Sequence, residues 1–213
     1  MDFKKAFDSV EHKLLLQKLV TYGINANFLK IITSLYERVN SCVGGIDSLT
    51  DIFHCNRGVG QGCLLSPVLF ALYLNELDNY IKESSQGVLL EGFQVHSLLY
   101  ADDLVLISSD RNDLQSQLDA LNNFSRSLKM EVNMDKTKTM VIRKNRQKSR
   151  DQSKNQQIWK IGDDEIKDCD SYKYLRVILK SSRSFSDHID KIKEKAHKAY
   201  YSLIANSREW GGF

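Results

Sequence analysis

The chain has 213 residues, 42% of them hydrophobic and 27% charged, with a formal net charge of +3. That is the size of one domain, or of a domain with an appendage, and the composition of an ordinary globular protein. No apolar run approaches the roughly 20 residues of a membrane span, the opening MDFKKAFDSVEHK lacks the apolar core of a secretory leader, and Cys42, Cys55, Cys63 and Cys169 form no CxxC pair. A membrane protein, a secreted disulfide scaffold and a zinc module are therefore disfavoured, and an intracellular setting with reduced thiols is expected.

In chain order, SVEHKLLLQKLVTYG places Val10, Leu14, Leu15 and Leu19 at helical spacing, ending near Gly23. ANFLKIITSLYERV predicts a second helix with Phe28, Ile31, Ile32 and Leu35 on one face. SCVGG and DIFHCN read as two short strands joined by a polar turn. SPVLFALYLNELDNYIKES predicts one helix, with Ser66 as N-cap and Pro67, the only proline, at the first helical position. Its first two turns are almost wholly apolar, which predicts burial.

FQVHSLLY and LVLISS then read as the strands of a tight hairpin. DLQSQLDALNNFSRSLKM is an amphipathic helix with Leu114, Leu118, Leu121 and Phe124 in register. TKTMVIRK reads as a strand, QIWKIGDDEIKD as a hairpin turning at Gly162, and YKYLRVIL as a further strand. The tail FSDHIDKIKEKAHKAYYSLIAN is a helix with Ile189, Ile192 and Ala196 along one side. Helices and strands alternate irregularly, which favours an α+β sheet with helices on one face.

Asp102 and Asp103 stand between the two apolar runs of LLYADDLVLIS. Carboxylates in such a setting are costly unless neutralised, and a hairpin tip bound to divalent cations would supply that. Mg²⁺ takes carboxylate oxygens while keeping water and substrate phosphates in its other positions. Neighbouring residues of a strand point to opposite sides, so a further acid is needed from elsewhere, and Asp2 is the best placed. In RGVGQGCLLSPVLF, Gly58, Gly60 and Gly62 allow close backbone approach to a ligand ahead of a helix, a setting that favours phosphate.

Taken together, these segments resemble the reverse transcriptase palm of non-LTR (LINE-like) retrotransposons. DFKKAFDSV looks like motif A, RGVGQGCLLSPVLFALYLNEL like motif B, YADD like motif C, LKMEVNMDKTKTMVI like motif D and YKYLRVIL like the motif E strand. The resemblance implies an antiparallel, RRM-like palm sheet with helices on one face over residues 1–180, and the start of a thumb helix over 181–213. A fingers region is expected to be missing ahead of motif A, since Met1 stands one residue before Asp2.

The activity implied is RNA-directed DNA polymerisation, with an RNA template, a DNA primer and deoxynucleoside triphosphates as partners and no membrane. Two Mg²⁺ ions, or Mn²⁺, would be held by Asp2 and Asp102, with Asp103 as the supporting acid. The Phe3 carbonyl would complete one metal shell, and Phe7 matches the aromatic gate against a 2′-hydroxyl. Gln61 and Gly62 match the motif B positions beside the nucleotide. Lys136 or Lys138 resembles the motif D lysine that protonates the leaving pyrophosphate. Between motifs D and E, Arg143, Lys144, Arg146 and Lys148 belong to a stretch with six Lys or Arg and one acid, read as a contact to nucleic-acid phosphates. Arg176 stands in YLRV where the family usually has glycine. The expectation for the isolated chain is impaired activity; the competing readings are an inactive nucleic-acid-binding remnant and, ranked below it, a metal-dependent nuclease.

Overall fold

The computed structural model describes residues 1–37, 39–45, 49–142 and 158–209. The chain divides into two compact units, one made of Met1–Thr137 with Trp159–Glu165 and the other of Lys138–Ile158 with Ile166–Phe213.

The first unit opens with α1 (Ala6–Ser9), α2 (His12–Thr21) and α3 (Ala26–Glu37). The single helix expected around Val10 is thus two: Val10 is extended, with ψ 116°, and fully buried between them. Leu15 and Leu19 face the core from α2. On α3 the buried row is Ile32 and Tyr36, whereas Phe28, Ile31 and Leu35 are exposed. The apolar face expected there combined two adjacent helical rows, of which packing takes one.

The short strands β1 (Asn40–Ser41) and β2 (Phe53–His54) pair antiparallel. The long helix expected next is broken into α4 (Ser66–Leu74) and α5 (Leu77–Ser84). Leu69, Phe70, Tyr73 and Leu74 are buried but Val68 is 57% exposed, so the apolar first turns are covered on one side only. Leu65, not Ser66, is the N-cap; Ser66 lies inside the first turn and its hydroxyl donates to the Gly60 carbonyl at 2.7 Å. The chain enters the helix one residue early, which frees that hydroxyl to brace the preceding loop.

The strands β3 (Val88–Leu90), β4 (Phe93–Val95), β5 (Ser97–Tyr100) and β6 (Asp103–Leu106) form two hairpins, β3 with β4 and β5 with β6. FQVHSLLY is interrupted at His96, which is buried and accepts or donates at Nδ1 with the Ser85 hydroxyl, 2.9 Å away. The helix α6 (Arg111–Ser127) follows, capped by the Asp110 carboxylate, which accepts from the amides of Asn112 and Asp113. Those bonds hold the Asp110 carboxyl below its ordinary range. Leu118, Leu121 and Phe124 are buried as their spacing predicts, Leu114 of the same row is half-buried, and α6 packs on α5.

The N-terminal segment ties this unit together. Met1 and Leu104 exchange both backbone bonds, at 2.9 and 3.1 Å. On its other side, the Asn133 amide donates to the Asp2 carbonyl and the Lys4 amide to the Glu131 carbonyl, both at 2.8 Å. Residues 1–4 therefore lie as a strand between β6 and the extended 131–133 segment, bridged through Phe3 and Val132.

After β7 (Lys138–Thr139), β8 (Lys160–Ile161) and β9 (Asp164–Glu165) return to the first unit as a hairpin turning at Gly162, φ 60°. β8 packs against α6. In the second unit, β10 (Lys167–Asp168) runs parallel to β7, and β11 (Ser171–Tyr174) pairs antiparallel with β12 (Val177–Lys180). YKYLRVIL is accordingly a hairpin rather than one strand. Its turn is Leu175–Arg176, with φ 44° and 69°, the type I′ pattern in which glycine or asparagine is favoured. Arg176 thus carries left-handed strain where glycine would carry none. We expect Arg176→Gly to raise the urea unfolding free energy of the second unit by roughly 0.5–1 kcal/mol, the relieved strain less the extra freedom of glycine in the unfolded chain. Unchanged or lower stability would contradict this.

The last helix, α7 (Ser186–Glu209), packs on β12 and is joined to it by the Lys180–Asp187 ion pair at 2.5 Å. Ile189 and Ile192 remain about half exposed. Among the described residues no helix is long and apolar enough to cross a membrane.

Candidate active site

The β5–β6 register pairs Tyr100 with Asp103 and leaves Ala101–Asp102 as the turn. Ala101 adopts φ 54° there, a left-handed conformation that presents the next residue at the hairpin tip. Asp2 reaches the same place from the strand alongside, because Met1 is locked to Leu104 just after the turn. The two carboxyl groups meet closely enough to interact. Burial is the main cause that raises the Asp102 carboxyl above its ordinary range, and the charges of Asp2 and Asp103 and a side-chain hydrogen bond with Asp2 push the same way. Asp102's own backbone amide offsets part of this.

Among the described residues no three His, Cys, Asp or Glu side chains gather as a metal-holding group. The structure brings together Asp2 and Asp102, with Asp103 acting on Asp102 through its charge from the first position of β6. Two carboxylates suit Mg²⁺, which is commonly held by one or two of them while substrate phosphates and water fill the remaining positions. The Phe3 carbonyl lies outside the ladder to residues 131–133, whose bonds use the Asp2 carbonyl and the Lys4 amide. This donor set fits a hard, oxygen-seeking cation.

Lys136 completes the cluster. Its Nζ lies 2.5 Å from Asp2 Oδ2, and that hydrogen bond, followed by the Asp2 charge, raises its ammonium above the ordinary lysine range. A short turn aims it: the Asn133 side chain accepts from the Lys136 amide at 3.3 Å, and the Thr137 amide donates to the Asn133 carbonyl at 2.9 Å. Lys138, the other lysine considered from sequence, lies on β7 of the second unit. The ammonium of Lys136 lies on a carboxylate oxygen that a divalent cation would also seek. We expect Lys136→Met to bind Mn²⁺ on the order of tenfold more tightly in an electron-paramagnetic-resonance titration, since a unit charge about 4 Å from a divalent ion repels it by roughly 2 kcal/mol even in water. Equal affinity would show that Lys136 does not compete for this place.

An open cavity of about 360 Å³ runs alongside, bounded by Phe7, Phe70, Leu74 and Asn75 and by Leu99 and Ala101 of the hairpin. Phe7 stacks on Phe70 with centroids 4.6 Å apart and planes 18° from parallel, so one face of its ring is packed while the side chain stays half-buried. The glycine-rich loop approaches the same helix. Gln61 Nε2 donates to Asp8 Oδ1 at 3.4 Å, and Gly62 has φ 88° with open space where a side chain would project. Sequence reasoning missed Asp8 and Phe70 as partners of this wall and read Ser66 only as an N-cap; their part in it shows once the loop is docked against them. Arg143, Lys144, Arg146 and Lys148 lie outside the described residues.

A family model described as reverse transcriptase (RNA-dependent DNA polymerase) matches residues 1–179. The chain is similar to the Pol polyprotein from the type-2 retrotransposable element R2DM of Drosophila melanogaster, 32% identical over 83% of this chain and 17% of that protein. It is 27% identical to the Pol polyprotein from the type-1 retrotransposable element R2 of Nasonia vitripennis, over 85% of this chain and 18% of the relative. It is 24% identical to the RNA-directed DNA polymerase from the mobile element jockey of Drosophila funebris, over 91% of this chain and 20% of that protein. The chain thus spans about a fifth of the length of these relatives.

Proposed function

The chain belongs to the reverse transcriptase (RNA-dependent DNA polymerase) family and is a domain of the non-LTR retrotransposon kind, and from that premise we propose that it adds deoxynucleotides to a DNA primer 3′-hydroxyl along an RNA template. The observation that carries the reading is the meeting of Asp2 and Asp102 beside the Phe7 cavity, with the Asp102 carboxyl raised by burial and by its acidic neighbours. Two Mg²⁺ ions, or Mn²⁺, would supply Lewis-acid activation of the primer hydroxyl and neutralise the triphosphate.

The chain's own residues would do the remainder. Asp2 and Asp102 offer carboxylate oxygens, Phe3 its carbonyl, and Asp103 adds negative charge to the same region. Phe7, backed by Phe70, would stand against the sugar and exclude a 2′-hydroxyl. Gln61 and Gly62 would border the base and the backbone approach to the nucleotide. Lys136, released from Asp2, would donate a proton to the departing pyrophosphate oxygen. Arg143, Lys144, Arg146 and Lys148 would meet template or primer phosphates, making binding salt-sensitive. The strand order around residues 1–4 supports an RRM-like antiparallel palm sheet carrying helices on one face.

The test is primer extension on an RNA template with Mg²⁺, with Asp2→Asn as the control. Extension that needs Mg²⁺ and Asp2 supports the reading. Template binding with no extension under any divalent cation favours a non-catalytic nucleic-acid-binding role.

A further inference from the structure

His12 is buried at the start of α2, yet its ring faces a loop rather than solvent. One face lies against Tyr36 of α3, with centroids 4.4 Å apart, and Nε2 lies 2.7 Å from the carbonyl oxygen of Gly58. The acceptor is a carbonyl, so Nε2 carries the proton and donates. Among the described residues this is the one hydrogen bond made to that oxygen.

The same peptide unit is held at its other end. The Val59 amide, joined to the Gly58 carbonyl in one rigid plane, donates to the Phe7 carbonyl at 2.9 Å. The Gly58 amide donates to Val10 at 2.8 Å, and the His12 amide to Asn56 at 3.3 Å. Gly58 sits at φ 95° with its α-carbon against the Asp8 backbone, where an added Cβ would come within 3.4 Å. A peptide plane pinned at both ends cannot rotate without breaking the bond to Phe7, the residue that bounds the cavity.

We infer that His12 is a positioning residue: by holding the Gly58 carbonyl, it sets the spacing between the glycine-rich loop that carries Gln61 and the helix that carries Phe7, and so tunes how closely the nucleotide sugar is gripped. This rests on the polymerase reading above, and the experiment separates the two. Amide hydrogen exchange is measured at Val59 in the wild-type chain, His12→Gln, which can still donate from Nε2, and His12→Leu, which fills the space without a donor. Single-nucleotide incorporation of deoxynucleoside and ribonucleoside triphosphates is measured on the same proteins.

The expected result is exchange at Val59 about tenfold faster in His12→Leu, as befits loss of one partly buried hydrogen bond, with His12→Gln close to wild type. Preference for the deoxy substrate falls about tenfold in His12→Leu through KM, with kcat little changed, and is rescued in His12→Gln. Unchanged Val59 exchange in His12→Leu, or equal loss of preference in both variants, overturns the inference. If the wild-type chain incorporates nothing, the polymerase reading and the sugar-selection half fall together, while Val59 exchange still decides whether His12 holds the loop. Should His12→Leu fail to fold, His12→Asn takes its place, its amide being too short to reach Gly58.

Discussion

If the chain polymerises as proposed, replacing Asp102 by Asn is expected to lower Mg²⁺-dependent nucleotide incorporation on the order of 10²–10³-fold, the usual cost of removing one preorganised group that stabilises transition-state charge. The same substitution makes the metal-free chain more stable at neutral pH. The Asp102 carboxyl is raised above its ordinary range, first by burial and then by Asp2 and Asp103, so folding favours its protonated form. Stability from this group is therefore fully present below the ordinary carboxylate pKa of about 4 and is lost as pH rises through the raised value. Asn lacks the charge and escapes that loss. In chelator, urea midpoints of Asp102→Asn and wild type should lie furthest apart near neutrality and converge in acid. A gap that widened in acid would refute the assignment. Activity lost while stability is gained is the signature of a group kept for chemistry rather than for folding.

Phe124→Ala should cost roughly 3–5 kcal/mol, as large aromatic truncations in a core do. The ring is 1% exposed on α6. Tyr80 of α5 meets it edge-on at 5.3 Å, and the Lys18 ammonium from α2 lies 5.5 Å from its centroid. Lys18 is in turn paired with Glu76 at 2.6 Å. Three helices thus converge on one ring, and alanine leaves a cavity that also ends the cation–π contact. Against a typical total of 5–15 kcal/mol, the loss takes much of the domain's stability. Urea unfolding followed by circular dichroism measures it, and a change below about 1 kcal/mol would mean that the neighbours collapse to fill the space.

Helix existence was legible wherever a periodic stripe met one unambiguous partner. On α6 the spacing of Leu118, Leu121 and Phe124 matches the buried face, with Leu114 of the same row half-buried, whereas the cap at Asp110 emerged only from the structure. The same reasoning failed on α3, where the row Phe28, Ile31 and Leu35 is exposed while Ile32 and Tyr36 are buried. Hydrophobic spacing names the candidate rows of a helix, but the position of neighbouring helices selects among them. Likewise YKYLRVIL has no turn residue at its centre, and the hairpin at Leu175–Arg176 exists because cross-strand pairing outweighs the local preference of those residues.

What the sequence determined on its own was chemical: which acids stand in DFKKAFD and YADD, that glycines flank Gln61, and that a lysine follows at position 136. Their order and spacing sufficed for the family because those features are local along the chain. Only the tertiary structure decided that Asp2 meets Asp102, that Lys136 pairs with Asp2, and that His12 grips the glycine-rich loop. Each of those contacts joins residues distant in sequence, and is fixed by backbone bonds such as Met1 to Leu104 and Asp2 to Asn133. A short sequence pattern carries no term for such pairings, because their free energy comes from burial and ladder closure across the whole unit.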